Sequence, residues 1–421
     1  MRRAPPELAA LPLLALAWAF PVSGGGAYVR LAAATAFLLL PGALLSRALG
    51  RPSVSATLAL SLATLLGAAA VMFAVGGSLW LALGISLGVG LAAGPLALAR
   101  PRPSFSLPLL SVLACGAGFG GALWLVAGSL DGDALFHLAR VRKLDAFGHL
   151  RLGTVNEFID GGLHPGYAFP LWHVLLALIG RVGGLDPETV VLHEPSVLAA
   201  VAFAVSYEAG RAVLGTAWAG LAALLAQVAI FGLAPGHGGA YTALALPATA
   251  SRQLLVPAVV YLFFSFVRAP DLRGSVVLSA SALGLALVHP TYALFVAVPL
   301  LGYVVARALL APGEIGAGLG ALLSLVLPSA AVALWLWPIV RQTASYDPSP
   351  RERLRGLAHY AGQVDVFTDG SFRLAPELFA RTGAVAVAAL ACVPLAGLAR
   401  SRRWAALVLG GSLAIFAVTL V

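Results

Sequence analysis

Residues 54–75 read VSATLALSLATLLGAAAVMFAV, without a single charged side chain. A helix of this length can cross a hydrocarbon core about 30 Å thick. Apolar runs of about 20 residues recur along the 421-residue chain. Because backbone groups in lipid must satisfy one another, and alternating polar and apolar strands are absent, the runs indicate helices and not a barrel. The predicted fold class is therefore all-α, a polytopic transmembrane helical bundle of about 12–14 spans.

The composition supports a membrane protein. Hydrophobic residues make up 60% of the chain, charged residues only 10%, and mean hydropathy is +0.94, whereas soluble domains carry about 25% charged residues. The net charge of +9 does not indicate a nucleic-acid partner, because the basic residues lie at segment ends instead of forming a patch. The predicted partner is the lipid bilayer. Arginine outnumbers lysine, with Lys143 the only lysine, which is typical of a GC-rich bacterial genome.

Charge between the first five apolar runs predicts the topology. Arginines at 2–3, 47–51 and 100–102 alternate with uncharged connections at 23–26 and 76–78. The positive-inside rule places the arginine loops and the N-terminus in the cytoplasm. The protein is then a multi-pass protein of the bacterial inner (plasma) membrane, with residues 129–168 outside. The predicted spans are 8–22, 27–46, 54–75, 78–99 and 107–128.

The later spans are harder to place from the sequence. Three candidates lie between the external loop 129–168 and the stretch 235–251, which the charges also place outside. An even number is needed, so one candidate must be short, re-entrant or split, or a further span lies in 236–251. The later candidates are 169–183, 193–213, 216–234, 252–267, 275–291, 292–310, 317–340, 378–399 and 404–421.

These runs divide the chain into five regions. The second external loop is expected to form an interfacial helix over 351–360, with a plain connector as the alternative. The chain stops at Val421 within an apolar run, so either the last helix ends at the outer interface or the protein is longer. The regions are a five-span part (1–128), a first external loop with an interfacial helix (129–168), a central bundle (169–340), a second external loop (341–377) and C-terminal spans (378–421).

The first external loop carries the residues best suited to chemistry. Asp131 and Asp133 stand one residue apart just beyond the fifth span. Such carboxylates can ligate a divalent cation, Mg²⁺ or Mn²⁺, or one can act as a general base. Asp133 and His137 share one face of a helix, and residues 133–147 predict an amphipathic interfacial helix. In the alternative interpretation Asp131 only caps that helix.

Four further residues are candidates for substrate binding. His164 and Tyr167 precede the next span, where an aromatic residue is often only an interfacial anchor. Arg252 begins a span on the external side and could meet a phosphate, or simply reach toward lipid headgroups. His289 occupies another external turn, where its neighbour Pro290 could have a purely structural role.

Together, these features resemble the GT-C superfamily of membrane glycosyltransferases over residues 125–235. In that superfamily an acidic motif of the type Asp-Glu-x-x-Tyr/His lies in the first external loop, followed by interfacial helices and a Pro-rich, aromatic approach to the next span. Four spans precede the usual starting helix, and Ala134 stands where many members have a second acidic residue, which Asp131 could replace. The matching segments here are Asp133 to His137, 170–173 (PLWH), 183–186 (GGLD), 195–198 (PSVL) and 210–215 (GRAVLG).

The resemblance implies a bacterial cell-envelope enzyme that transfers sugar from a polyprenyl-phosphate donor to a glycan, lipid or protein acceptor outside the membrane. Asp133 matches the catalytic acidic position and would be the base, with Asp131 orienting or holding a cation. His137, His164, Tyr167, Arg252 and His289 would bind substrate. Two other classes stay open: a transporter or flippase for a lipid-linked or polar solute, and a non-catalytic membrane assembly subunit.

Overall fold

The structure, a computed structural model, describes residues 6–151, 171–233, 241–344, 364–366, 372–374, 376–399 and 401–420. Helices dominate this part of the chain, which confirms the predicted all-α class. The chain forms two compact units. One comprises Met1–Leu294 with Leu323–Trp337, and the other comprises Phe295–Leu322 with Pro338–Val421. The candidate functional residues described by the structure belong to the first unit.

The N-terminal helices follow the first five predicted spans. The third span, predicted at 54–75, is helix α3, and its N-terminus is capped by the Ser53 side chain, which accepts a hydrogen bond from the Ala56 amide. The fourth span is broken at Ala93, just before Pro95. The elements are a 3₁₀ turn Pro6–Ala9, α1 Ala10–Ala17, α2 Gly24–Ala48, α3 Val54–Val75, α4 Leu79–Ala92, α5 Gly94–Ala99 and α6 Leu107–Val126.

The central elements include one π-helical turn. It spans Ser251–Leu255, inside the span predicted at 252–267. Such turns frequently occur at functional sites. The elements are α7 Asp133–Phe147, α8 Leu171–Gly183, α9 Pro187–Leu214, α10 Ala217–Leu233, a 3₁₀ turn Tyr241–Ala243, α11 Pro247–Ala250, the π turn, α12 Val256–Arg268 and α13 Leu272–Val288.

The second external loop contains strands that the sequence did not predict. They are β1, Val364–Val366, and β2, Phe372–Leu374, which pair antiparallel with Asp365 opposite Arg373. The interfacial helix predicted over 351–360 lies outside the described residues. The remaining elements are α14 Pro290–Leu310, a 3₁₀ turn Pro312–Glu314, α15 Ile315–Ala344, α16 Pro376–Cys392, a 3₁₀ turn Val393–Leu398 and α17 Arg402–Leu420.

Eight helical segments of the described chain are long and apolar enough to cross a membrane. Their outer faces suit lipid, since only 28% of the most apolar window of α6 and 22% of that of α15 is buried in the protein. These segments support a multi-pass membrane protein. They are Gly24–Ala48, Val54–Val75, Leu79–Ala99, Leu107–Val126, Pro187–Leu214, Pro247–Arg268, Pro290–Leu310 and Ile315–Pro338.

The first unit has two distinct ends, marked by helix α3. Where α3 begins, Ser55 binds the Glu208 carboxylate, and nearby Arg47 donates to the Arg100 carbonyl; we call this the Arg47 end. Where α3 finishes, Gly77 accepts a hydrogen bond from the amide of Leu150, just after α7; we call this the α7 end.

Helix α8 explains the odd number of spans predicted between 129–168 and 235–251. Near its start His173 contacts His137 of α7, and near its finish Arg181 binds Asp145 of α7. Because both ends of α8 lie along α7, this helix stays at the α7 end and does not cross the unit. Helix α9 does cross, since Glu188 binds α7 while Glu208 binds Ser55.

Candidate functional site

The two ends of helix α7 are formed by different residue types. Asp133 begins the helix, where a negative charge interacts favourably with the helix dipole. Gly148 ends it in the left-handed conformation at φ 64°, which glycine adopts without strain. The carbonyl of Gly148 then accepts the Leu79 amide at 3.0 Å. The C-terminal end of α7 is thus fixed relative to the helices α3 and α4.

A chain of three side chains runs inward from Asp133. Oδ2 of Asp133 lies 3.3 Å from Nε2 of His137, as the i, i+4 spacing predicts. Nδ1 of His137 lies 2.8 Å from Nε2 of His173. The Asp133 side chain is 49% exposed, whereas that of His137 is 9% exposed and His173 is buried. The chain therefore connects a carboxylate accessible to solvent with the buried helix α8.

The hydrogen-bonding capacity of imidazole restricts how this chain can be protonated. If the Asp133 carboxylate accepts the Nε2 proton of a neutral His137, Nδ1 of that ring must accept. His173 then donates through Nε2. The sequence gives no sign of the contact between His173 and His137, because the two residues are 36 positions apart.

A cavity of about 550 Å³ opens beside the acidic residues. Asp131 and Asp133, for which the sequence suggests a catalytic role, both line it, together with the hydroxyl-bearing Ser129, Ser196 and Thr242. Most other lining groups are apolar, and the volume falls in the range of about 300–1,000 Å³ typical of ligand pockets. The remaining lining residues are Leu123, Val126, Ala127, Gly128, Leu130, Gly132, Ala134, Val191, Leu192, Pro195, Ala243, Ala245 and Leu246.

The wall of this cavity depends on close packing between α6 and α9. A Cβ atom at Gly120 would overlap the Ser196 carbonyl, so this approach requires glycine. In α9, Pro195 has no amide proton to donate to the carbonyl of Val191, one turn earlier. Val191 and Pro195 both line the cavity.

Glu194 is a buried carboxylate that the sequence interpretation did not consider. It is 0% exposed in α9, and Oε1 accepts a 2.7 Å hydrogen bond from Thr35 of α2. No partner for Oε2 is found among the described residues. An acidic residue inside an apolar span is a functional candidate by default. The position of Glu194 within an apolar run was therefore the feature of the sequence that could have identified it.

Arg252 and His289 form a second polar group at the α7 end. Burial, and then the charge of Arg252, lower the pKa of His289, which lies in the connection between α13 and α14. The His289 ring packs edge-on against Tyr292 at 4.7 Å between centroids. Neither Arg252 nor His289 lines the cavity beside Asp133. The cavity lining thus includes Asp131 and Asp133 but neither Arg252 nor His289, which the sequence also assigns to the substrate site.

The remaining predicted site residues, His164 and Tyr167, lie outside the described residues. Among the residues that are described, no group of three or more His, Cys, Asp or Glu side chains could hold a metal ion. Asp131 and Asp133 do fit the way Mg²⁺ often binds, through one or two carboxylates together with substrate phosphates.

Comparisons of the sequence and structure with known proteins found no matching family model, no matching curated protein and no matching solved structure.

Proposed function

We propose that this protein is a membrane glycosyltransferase that moves a sugar from a polyprenyl-phosphate donor to an acceptor hydroxyl. The acceptor is a glycan, a lipid or a protein. The observation that carries the proposal is the cavity of about 550 Å³ lined by both Asp131 and Asp133. It combines a mostly apolar wall with two carboxylates, as a site for a lipid-linked sugar requires.

The surface around the cavity supports access for a lipid-linked donor. Leu125 and Val126, at the last turn of α6, are 84% and 68% exposed, and Leu135 of α7 is also exposed. Exposed apolar side chains of a membrane helix suit contact with acyl or prenyl chains. The donor's prenyl chain can therefore lie along α6 while its sugar-phosphate enters the cavity beside Asp133.

Asp133 serves as the general base in this proposal. Its carboxylate takes the proton from the acceptor hydroxyl as the acceptor oxygen bonds to the anomeric carbon of the sugar. The bond between that carbon and the phosphate oxygen breaks, and its electron pair leaves with the polyprenyl phosphate. The contact with His137, itself supported by His173, orients the Asp133 carboxylate.

The departing phosphate needs positive charge. Arg252, with His289 beside it, does not line the cavity itself, so it is our candidate among the described residues for the part of the donor phosphate that extends beyond the cavity. His164 and Tyr167 are candidates for holding the sugar. A divalent cation, Mg²⁺ or Mn²⁺, would be held by Asp131 and Asp133 and would neutralise phosphate charge.

The orientation in the membrane is part of the proposal. Arg47, Arg51 and Arg100 lie at the Arg47 end, opposite Asp133. By the positive-inside rule the Arg47 end and the N-terminus face the cytoplasm. The cavity would then open at the extracytoplasmic face of the bacterial inner membrane.

Replacing the proposed base tests the function. The assay uses membranes of cells producing the full chain, which contain the natural acceptor, with radiolabelled polyprenyl-phosphate hexoses and pentoses as donors. We expect Asp133→Asn to lower sugar transfer at least about 100-fold, because general base catalysis contributes about 10²–10⁴. Glu188→Gln is the matched control, since Glu188 lies at the same end but outside the cavity. Transfer by Asp133→Asn within a few fold of the unchanged protein would refute the proposal.

Glu194 favours a second candidate function, a transporter of a polar or lipid-linked solute. Transporters place ionisable groups inside the membrane region, and Glu194 is buried in an apolar helix with one oxygen lacking a partner among the described residues. In that case Glu194→Gln would abolish solute uptake into vesicles, whereas Asp133→Asn would leave uptake unchanged. The glycosyltransferase proposal expects no such uptake.

A further inference from the structure

A second pocket lies at the Arg47 end, away from the acidic cavity. Its volume is about 240 Å³, and it is formed between α6, α9 and α12. Polar side chains dominate its lining, in contrast to the larger cavity. The lining residues are Leu109, Tyr207, Glu208, Arg211, Ala212, Gly215, Tyr261, Ser265 and Arg268.

The single carboxylate of this pocket is already engaged. Oε2 of Glu208 accepts hydrogen bonds from the Ser55 amide at 2.8 Å and the Ser55 hydroxyl at 2.6 Å, and Oε1 accepts the Val54 amide at 3.1 Å. These donors belong to the first turn of α3, where the helix dipole also favours negative charge. The hydrogen bonds to Glu208 therefore come from α3, and Arg211 adds only a longer-range electrostatic interaction.

Two arginines, Arg211 and Arg268, line the pocket. Arg211 is exposed, and within the described part of the chain no hydrogen bond or ion pair joins it to Glu208, although the two are three residues apart. Nε of Arg268 donates to the Phe264 carbonyl at 3.1 Å, which fixes the side chain at the pocket rim. Guanidinium groups bind phosphate oxygens in paired, charge-assisted hydrogen bonds.

The surroundings of the pocket place it at the level of lipid headgroups. Leu107 and Leu110, beside the lining residue Leu109 of α6, are 76% and 46% exposed. Trp218, three residues after the lining Gly215, is 81% exposed, and exposed tryptophans are typical of the membrane–water interface. A lipid could thus lay its acyl chains on α6 while its phosphate enters the pocket.

We propose that this pocket is a binding site for the phosphate headgroup of an anionic phospholipid. Basic pockets between membrane helices on the cytoplasmic side are suited to anionic headgroups. The hydroxyl groups of Tyr207, Tyr261 and Ser265 also line the pocket around the two arginines. The site does not depend on the sugar-transfer chemistry, but its place on the cytoplasmic side rests on the orientation given under the proposed function.

Lipid binding by the purified full chain tests the site. The protein in detergent micelles is titrated with phosphatidylglycerol and, separately, with phosphatidylcholine and inorganic phosphate, and bound lipid is counted by native mass spectrometry. We expect phosphatidylglycerol to bind at least about tenfold more tightly than phosphatidylcholine. Arg211→Gln with Arg268→Gln should weaken phosphatidylglycerol binding about tenfold, and the two Lys substitutions should retain most of it.

Two controls keep the result interpretable. Arg102→Gln removes the same charge from an exposed position at the Arg47 end outside the pocket, and it should leave the affinity unchanged. Thermal unfolding of each variant shows that it is folded. Equal affinity for the two lipids, an unchanged affinity in the double Gln variant, or the same loss in Arg102→Gln would overturn the proposal. Displacement of the lipid by millimolar inorganic phosphate would overturn the lipid assignment in favour of free phosphate.

Discussion

Asp133 is the residue on which the proposed chemistry depends, and its neighbours explain why it can act. Its carboxylate reaches the cavity, while Oδ2 is within 3.3 Å of a histidine that is itself buried. A buried imidazole needs a partner for each nitrogen, because an unsatisfied buried polar group costs free energy. His173 provides that partner for Nδ1 of His137. The orientation of Asp133 therefore rests on a residue in a different helix.

Replacing His173 should destabilise the protein. In His173→Phe the buried Nδ1 of His137 loses its neighbour, and we expect the free energy of unfolding to fall by about 1–3 kcal/mol. The measurement is the thermal midpoint of the purified protein in one detergent. His149→Phe makes the same change at an exposed position and should have little effect. Equal midpoints for the two variants would show that the histidine contact contributes nothing.

Small residues of helix α6 allow it to pack closely against α9 beside the site. Gly116 and Gly120 face α9, where a Cβ atom would meet the backbone at Ala200 and Ser196. Small residues allow membrane helices to approach closely and gain packing contacts. This approach brings the loop that follows α6, with Asp131, over the cavity-lining residues of α9.

Gly120→Leu should separate α6 from α9. The added side chain overlaps the Ser196 carbonyl, and we expect a loss of about 1–3 kcal/mol in the free energy of unfolding, with loss of sugar transfer. Gly118→Leu is the matched control, because a Cβ at Gly118 meets nothing within 4 Å. Thermal midpoint and transfer are measured for both. Similar behaviour of the two variants would contradict the packing argument.

The number of helices that cross the membrane determines on which side each loop of the protein lies. Helix α8 remains at the α7 end, so residues before and after it should face the same side of the membrane. Arg30, which stands apart from the arginine loops predicted to be cytoplasmic, is held within the protein by the carbonyls of Trp18, Phe20 and Gly183. This arginine is therefore a structural residue and carries little information about topology.

Cysteine labelling tests this topology. Starting from a chain in which Cys115 and Cys392 are replaced by serine, Ala146→Cys and Glu188→Cys flank α8, and Arg102→Cys marks the Arg47 end. We expect a membrane-impermeant maleimide to label positions 146 and 188 in intact spheroplasts, and position 102 only after permeabilisation. Labelling of 146 and 188 from opposite sides would mean that the intervening segment crosses the membrane.

The class of fold and the position of most helices can be predicted from the apolar runs of the amino-acid sequence. The apolar run at 54–75 became α3 with the same bounds, because the length and hydropathy needed to cross lipid reside in consecutive residues. The spacing of Asp133 and His137 likewise predicted their contact, since residues four apart meet on any α-helix.

Contacts between residues far apart in the chain depend on how the helices pack and could not be predicted from the sequence. His173 contacts His137 across 36 residues, and Glu194 contacts Thr35 across 159. Helix α8 is apolar like a membrane span, yet it lies along α7. Arg252 is not among the residues that line the cavity beside Asp133. The hydropathy of a segment predicts that it is buried in protein or lipid, but not which other segment it packs against. The arrangement of the site therefore follows from packing between segments far apart in the chain.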